Sequence, residues 1–143
     1  MIRDALPEDT LEIGKLAKLF ENESKFVKVD VYYAAKQYAD YIREGKAKIF
    51  VYEEDGKIIG SFGFILGKDQ HCGALTAYEA FWYVHPDKRG CGIKLLLHAE
   101  KWASENVERM LIIHMVDSHP ESLRRIYEKR GFVLVEQSFL KEF

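Results

Sequence analysis

"VHPDKRGCGIKLLLHAEKWA", from Val84 to Ala103, is the stretch whose reading decides the fold. A β-like run ends at Val84. It passes through Pro86, Lys88, Arg89 and Gly90-Cys91-Gly92 into a helical pattern that begins near Ile93. The first turn of a helix leaves backbone N–H groups unpaired and carries partial positive charge. Gly90 and Gly92 allow a sharp turn and a close approach of amides to a ligand, and Arg89 adds a permanent charge. Such a junction suits a phosphate or pyrophosphate. A glycine-rich turn that only caps a helix would use the same letters, so support has to come from elsewhere in the chain. Two nucleotide motifs do not fit. A dinucleotide fingerprint needs Gly or Ala where Leu95 stands, and a P-loop needs Gly-Lys followed by Ser or Thr.

Working outward, "MIRDAL" reads as a short first strand. Ile13, Leu16, Ala17 and Phe20 recur at helical spacing behind Pro7, Glu8 and Asp9, which suit a helix start. A second helix runs from about Asp30 to Glu44, with Ala34, Ala35, Tyr38, Tyr41 and Ile42 on one stripe and Gly45 as its stop. "AKIFVYEEDGKIIGSFGFIL" reads as two strands joined at Asp55-Gly56, and "ALTAYEAFWYV" as a third. The helix from Ile93 to about Glu105 follows. Then come a buried strand "RMLIIHMV", a helix "PESLRRIYEKR" and a last strand "FVLVEQSFL". The order β-α-α-β-β-β-α-β-α-β predicts an α+β fold. Its sheet is mixed, mostly antiparallel, of about six to seven strands flanked by about four helices, in one domain over residues 1–143.

Composition narrows the function. A chain of 143 residues with 48% hydrophobic and 31% charged residues describes an ordinary globular protein. A net charge of -2 argues against non-specific nucleic-acid binding, which needs a clustered basic excess. A local basic cluster is possible at Lys88-Arg89 and again at Arg124-Arg125. No apolar run reaches membrane-spanning length, and the N-terminus lacks a signal-peptide core, so neither a membrane nor export is expected. Cys72 and Cys91 are too few for a disulfide framework and read as reduced thiols of a cytoplasmic protein.

The junction acquires meaning from a resemblance. "VHPDKRGCGIKLL" is similar to the acyl-CoA-binding motif of the GCN5-related N-acetyltransferase (GNAT) superfamily, Arg/Gln-x-x-Gly-x-Gly/Ala after a strand ending Val-x-Pro. "SLRRIYEKRGFVLV" resembles the family's helix ending Tyr-Glu-Lys-x-Gly-Phe, and "IRDALPEDTLEIGKLAKLF" its opening, with Arg3 and Asp9 in place. The element order agrees over nearly the whole chain. Two positions depart from the pattern. Lys94 stands where the family has Gly or Ala, and Pro120 stands where many relatives carry an Asn that contacts the cofactor, a contact then left to another residue such as Ser118.

The resemblance implies an acyl-CoA-dependent N-acyltransferase that moves acetyl from acetyl-CoA directly to a primary amine of a small molecule or protein, with no metal. The backbone of Trp82, Tyr83 and Val84 would line the pantetheine arm, and amides of Arg89, Gly90, Cys91, Gly92, Ile93 and Lys94 would receive the pyrophosphate. Tyr127 matches the tyrosine that protonates the departing thiolate. For the base we choose Glu79, because alternation places it with Phe81 and Tyr83 on one face and burial among aromatics raises a carboxyl pKa. Each has a plainer alternative: Tyr127 as a core aromatic, Glu79 as a solvated or paired strand carboxylate. His114, in an apolar strand, reads as a core histidine rather than a rival base. A metal set from His71, Cys72, His114 and His119 lacks ligand spacing. Cys91 at a helix start is expected to have a lowered pKa but no catalytic role. Tyr32 or Tyr33 would face an acceptor pocket between the second helix and the sheet. A homodimer is compatible with the fold. The competing reading is a non-catalytic CoA-binding or peptide-binding module on the same fold.

Overall fold

The computed structural model describes residues 1–143, which divide into two compact units, Met1–Ile113 and His114–Phe143. The first unit holds β1 (Ile2–Asp4), α1 (Thr10–Glu21), α2 (Val31–Arg43), β2 (Ala47–Glu54), β3 (Lys57–Lys68), β4 (Leu75–Val84), α3 (Gly92–Asn106) and β5 (Arg109–Leu111). The second holds α4 (Glu121–Lys129). The strands form one sheet in chain order, antiparallel from β1 to β4, with β5 parallel to β4.

Local chemistry accounts for the punctuation. Asp55 and Gly56 both take positive φ, 52° and 74°, as the tight turn joining β2 to β3 requires. Asp30 caps α2 by accepting from the Tyr33 N–H at 3.0 Å, and Gly45 at φ 71° ends that helix. Arg3 holds Asp9 with a forked pair of hydrogen bonds at 2.7 and 3.1 Å and reaches Glu53 at 3.3 Å, which pins β1 to the start of α1 and the end of β2.

Alternation sorts the sheet into two faces. Ile49, Val51, Ile58 and Phe81 meet Ile13 and Leu16 of α1, with Tyr38 of α2 packed on them. Phe50, Phe62 and Phe64, all fully buried, point the other way under Leu95, Leu96 and Ala99 of α3. Each contributes on the order of 1.5–3 kcal/mol of burial. The Phe64 ring stacks on Trp102 at 5.9 Å.

The alternation fails at one place. Gly63 pairs with Phe81 and Phe64 pairs with Glu79, so Ala80 is an extra residue in β4. Ala80 and Phe81 both pack on the α1–α2 face. Glu79 is thereby set opposite Phe64, out of line with Phe81 and Tyr83, contrary to the uninterrupted alternation expected from the sequence.

The sheet has five strands rather than six or seven. "RMLIIHMV" pairs only over Arg109–Leu111, and residues 132–143 form no strand. Strand-like composition becomes a strand only where an edge accepts its hydrogen bonds, and "FVLVEQSFL" has no such ladder.

Gly63 tests the bulge. A Cβ built there would lie 2.5 Å from carbons of the Phe81 ring, which covers the glycine. Gly63→Ala should therefore lower unfolding free energy by about 1–3 kcal/mol through overpacking. A urea titration reads this as a reduced midpoint, and an unchanged midpoint would mean that the ring does not press on this site.

Candidate active site

The β4–β5 ladder consists of three pairs and ends at Tyr78–Leu111. Glu79 is the first residue of β4 beyond it. Its side chain is 8% exposed at the residue level, and its carboxylate accepts from the Ile113 backbone. Oε1 is buried with no hydrogen-bond partner. Desolvation pushes the carboxyl up to about 8 from an ordinary 4.5, opposed only by that backbone hydrogen bond. Farther along β4, Trp82 Nε1 is also buried without a partner. Buried orphan polar atoms are rare, and two on one strand mark a place built for polar contact.

After Val84 the chain turns through a 3₁₀ segment, Pro86–Cys91, and enters α3 at Gly92. His85 Nδ1 accepts from the Asp87 N–H at 3.2 Å, which braces the turn. The two glycines serve different ends. A Cβ at Gly92 would meet Val84 Cγ2 at 3.3 Å and Trp82 Cζ2 at 3.5 Å, so this glycine lets α3 start close against β4. A Cβ at Gly90 meets nothing, so that glycine leaves the outer side of the loop open. Ile93 and Lys94 stand exposed in the first helical turn. Cys91 instead points inward, and burial pushes its thiol up, the reverse of the lowered pKa expected at a helix start. Cys72 and Cys91 are both free thiols.

The basic side chains of this loop are held by the chain's own carboxylates. Arg89 pairs with Glu23, and Lys88 donates to Glu54 at 2.7 Å. Glu23 belongs to the segment joining α1 to α2. No sequence signal could have found an ion pair 66 residues apart.

That same segment walls a cavity of about 200 Å³ under α1 and α2, closed on the sheet side by Ile49, Phe81 and Tyr83. Tyr33 lines it while remaining 69% exposed, whereas Tyr32 does not line it. The rings of Phe81 and Tyr83 stack at 5.0 Å, and the Tyr38 ring meets Phe81 edge-on at 5.1 Å. Burial raises the pKa of both Tyr38 and Tyr83, so their hydroxyls stay protonated.

In the second unit, Tyr127 closes α4 and is 6% exposed. Gly131, at φ 90°, lets the Phe132 N–H bond to the Tyr127 carbonyl at 3.0 Å and its own N–H to the Glu128 carbonyl at 3.1 Å. The Phe132 and Tyr127 rings lie 6.0 Å apart, completing a Schellman stop with its apolar contact. "YEKRGF" is thus a helix terminator that fixes the tyrosine. His114 lies beyond β5, not within a strand. It is half-buried, with its ring edge-on to Tyr127 at 6.4 Å and Nε2 3.2 Å from the Pro120 carbonyl. His119 accepts from the Met115 N–H at 2.9 Å, and burial and His114 depress it to about 4, so it is neutral. Ser118 Oγ is buried with no partner. No group of three or more His, Cys, Asp or Glu side chains is arranged to hold a metal ion.

The structure therefore brings Glu79, Trp82, Tyr83 and Val84 onto one strand that runs into Arg89–Lys94. It adds Glu23, Glu54 and the cavity residues Val27 and Val29, which the sequence reading did not single out.

Residues 15–132 match the acetyltransferase (GNAT) family. No curated protein matches the sequence significantly. Among solved structures, the chain is similar to a transcriptional regulator from Bacillus halodurans C-125, with a TM-score of 0.78, 18% identity, and coverage of 100% of this chain and 99% of that one. It is similar also to a ribosomal-protein-alanine N-acetyltransferase from Brucella melitensis biovar Abortus 2308, with a TM-score of 0.73, 20% identity, and coverage of 100% and 99%. A predicted acetyltransferase with acetyl-CoA from Clostridium acetobutylicum gives a TM-score of 0.72 at 16% identity, with coverage of 99% and 95%. At such identities these likenesses establish the fold. The family match, spanning the anion-ready junction and the Tyr127 helix alike, shows that the chain belongs to the GNAT acetyltransferase family.

Proposed function

We propose that this acetyltransferase moves the acetyl group of acetyl-CoA directly to a primary amine, with residues 1–143 acting as one catalytic domain. The observation that carries the reading is Glu79, a buried carboxyl with an orphan oxygen where the β4–β5 ladder ends. Beyond Tyr78 the β4 backbone is not taken up by β5, which leaves Trp82, Tyr83 and Val84 for a pantetheine arm to bond as a strand partner would. The amides of Arg89, Gly90, Cys91, Gly92, Ile93 and Lys94 would receive the pyrophosphate. Lys94 is exposed, so its side chain can turn to solvent or to phosphate without crowding the loop.

In transfer, the amine nitrogen bonds to the acetyl carbon and the carbon–sulfur bond breaks. Glu79 does not line the cavity under α1 and α2, so, once ionised, it takes the proton the amine must lose through a bridging water. The Tyr127 hydroxyl gives a proton to the departing thiolate. The cavity under α1 and α2 receives the acceptor. We place the enzyme in the cytoplasm, with neither membrane nor nucleic acid as partner; both cysteines are free thiols, and no helix is long and apolar enough to cross a membrane.

We also assign the chain a second copy as partner. Residues 132–143 form no ladder, yet Val133, Val135, Phe139 and Phe143 are exposed, Phe139 at 96%. Light scattering should return twice the chain mass of 16.6 kDa; the single-chain mass would remove the dimer.

Cofactor binding is tested by thermal denaturation. Acetyl-CoA or CoA at ~100-fold above Kd adds ~2.7 kcal/mol, a rise of roughly 5–10 °C in Tm for a domain of this size, while ATP adds none. Glu23→Gln frees Arg89 from an exposed pair and should tighten CoA binding by about two- to fivefold. No shift at millimolar acetyl-CoA would end the assignment.

Glu79 makes a separate prediction with a definite sign. Between pH 4.5 and about 8 the folded protein keeps a proton that the unfolded chain releases, so stability falls as pH rises through that window. Glu79→Gln should flatten the decline. The same substitution should lower kcat/KM by roughly 10²–10⁴ and abolish the rate limb near pH 8, while Tyr127→Phe lowers kcat and leaves that limb in place. Parallel stability and rate profiles for wild type and Glu79→Gln would assign the base elsewhere.

A further inference from the structure

The cavity under α1 and α2 is restrictive enough to name a class of acceptor. We propose that the acceptor is a compact monoamine whose non-reacting body is apolar and about the size of one aromatic ring. This rests on the acetyl-transfer reading above.

Size comes first. A cavity of about 150 Å³ is enough to hold benzene, and the present one is about 200 Å³. A ring with a short alkyl arm fits, whereas a peptide could place no more than one side chain there. Chemistry agrees with size. Ile13 and Ala17 of α1, Val27 and Val29 of the connecting segment, and Ile49 of β2 supply apolar walls. Phe81 and Tyr83, stacked in parallel with Tyr38 edge-on, supply flat aromatic surface against which a second ring packs edge or face.

Charge supplies the exclusion. Asp30 is the one carboxylate in the lining; its Oδ1 accepts from the Tyr33 N–H at 3.0 Å, capping α2, and the residue is exposed to solvent rather than set among the apolar walls. The other charged lining residue is Lys28, a cation. A polyamine or a polyaminated sugar would bring a second ammonium into apolar walls beside a lysine, and burying an unpaired charge is costly. Of the lining hydroxyls, that of Thr10 donates to the Pro7 carbonyl at 2.8 Å and that of Tyr33 belongs to an exposed residue, which leaves those of Tyr38 and Tyr83 to bond a single neutral amine. Tyr83 also belongs to the stretch of β4 assigned to the cofactor arm. An amine held against it with its body in the cavity faces the strand where the thioester would lie.

The test measures CoA thiol release from acetyl-CoA with 2-phenylethylamine, spermidine and a lysine-containing peptide, alongside the acetyl-CoA thermal shift of each protein. kcat/KM for 2-phenylethylamine should exceed that for spermidine and the peptide by roughly 100-fold or more. Ala34→Phe, which fills the cavity from α2, should lower it by roughly tenfold or more with the acetyl-CoA shift unchanged. Should that variant lose its acetyl-CoA shift through misfolding, Tyr33→Ala at the exposed rim serves instead, raising KM for 2-phenylethylamine by roughly threefold or more. Equal or better turnover of spermidine or peptide overturns the proposal, as does 2-phenylethylamine turnover indifferent to the filling or rim variant. If acetyl-CoA shifts the wild type while the amine preference is absent, the acceptor class alone falls. If acetyl-CoA produces no shift, the acetyl-transfer reading falls with it.

Discussion

The early end of the β4–β5 ladder is the constraint on which the site depends. Parallel pairing here lasts three residues and stops at Tyr78–Leu111. A strand in the middle of a sheet ordinarily spends its amides on both neighbours, and every buried backbone group has to find a partner. Beyond Tyr78, β4 keeps β3 on one side and has no β5 ladder on the other. The carboxyl that follows, Glu79, is buried as though inside a core but with one oxygen unpaired. A fold that closed this ladder would be better satisfied, and would have neither a carboxyl of raised pKa nor strand amides left open beside it.

The bulge at Ala80 works with that fork. By adding one residue to β4 it sets Glu79 out of line with Phe81 and Tyr83, so one strand serves two purposes. Its aromatic face closes the cavity under α1 and α2, while its carboxyl sits at the fork. Gly63 makes this possible, since the Phe81 ring occupies the volume that a side chain on β3 would fill.

Features made by neighbours in sequence could be read directly. The junction from Arg89 to Lys94 is legible because glycine, charge and a helix start are all local. "YEKRGF" is legible because a Schellman stop is written in six consecutive residues, and Asp55-Gly56 because both turn positions need positive φ. Features set by partners far along the chain could not be. Strand composition at residues 132–140 predicted a strand that only a pairing edge could create. Alternation predicted one face for Glu79, Phe81 and Tyr83, because a one-residue bulge leaves no mark in a run of apolar letters. The lowered thiol expected for Cys91 failed because the helix start says nothing about which way a side chain points; inward, desolvation outweighs the helix dipole.

The ion pairs of the loop carry the electrostatic argument one step further. Arg89 and Lys88 are held by Glu23 and Glu54, so an anion arriving at the loop exchanges partners rather than meeting bare cations. Because these pairs are solvent-exposed, each is worth at most about 1 kcal/mol, and the exchange costs little against a doubly charged pyrophosphate. It is not without consequence. Glu23 lies in the segment that continues through Val27 and Val29 into the cavity wall, so the carboxylate that an anion displaces from Arg89 is tethered to the surface that meets the acceptor. On the proposed sites, cofactor and acceptor would act on one stretch of chain, and a binding event at either end would change the restraints on the other.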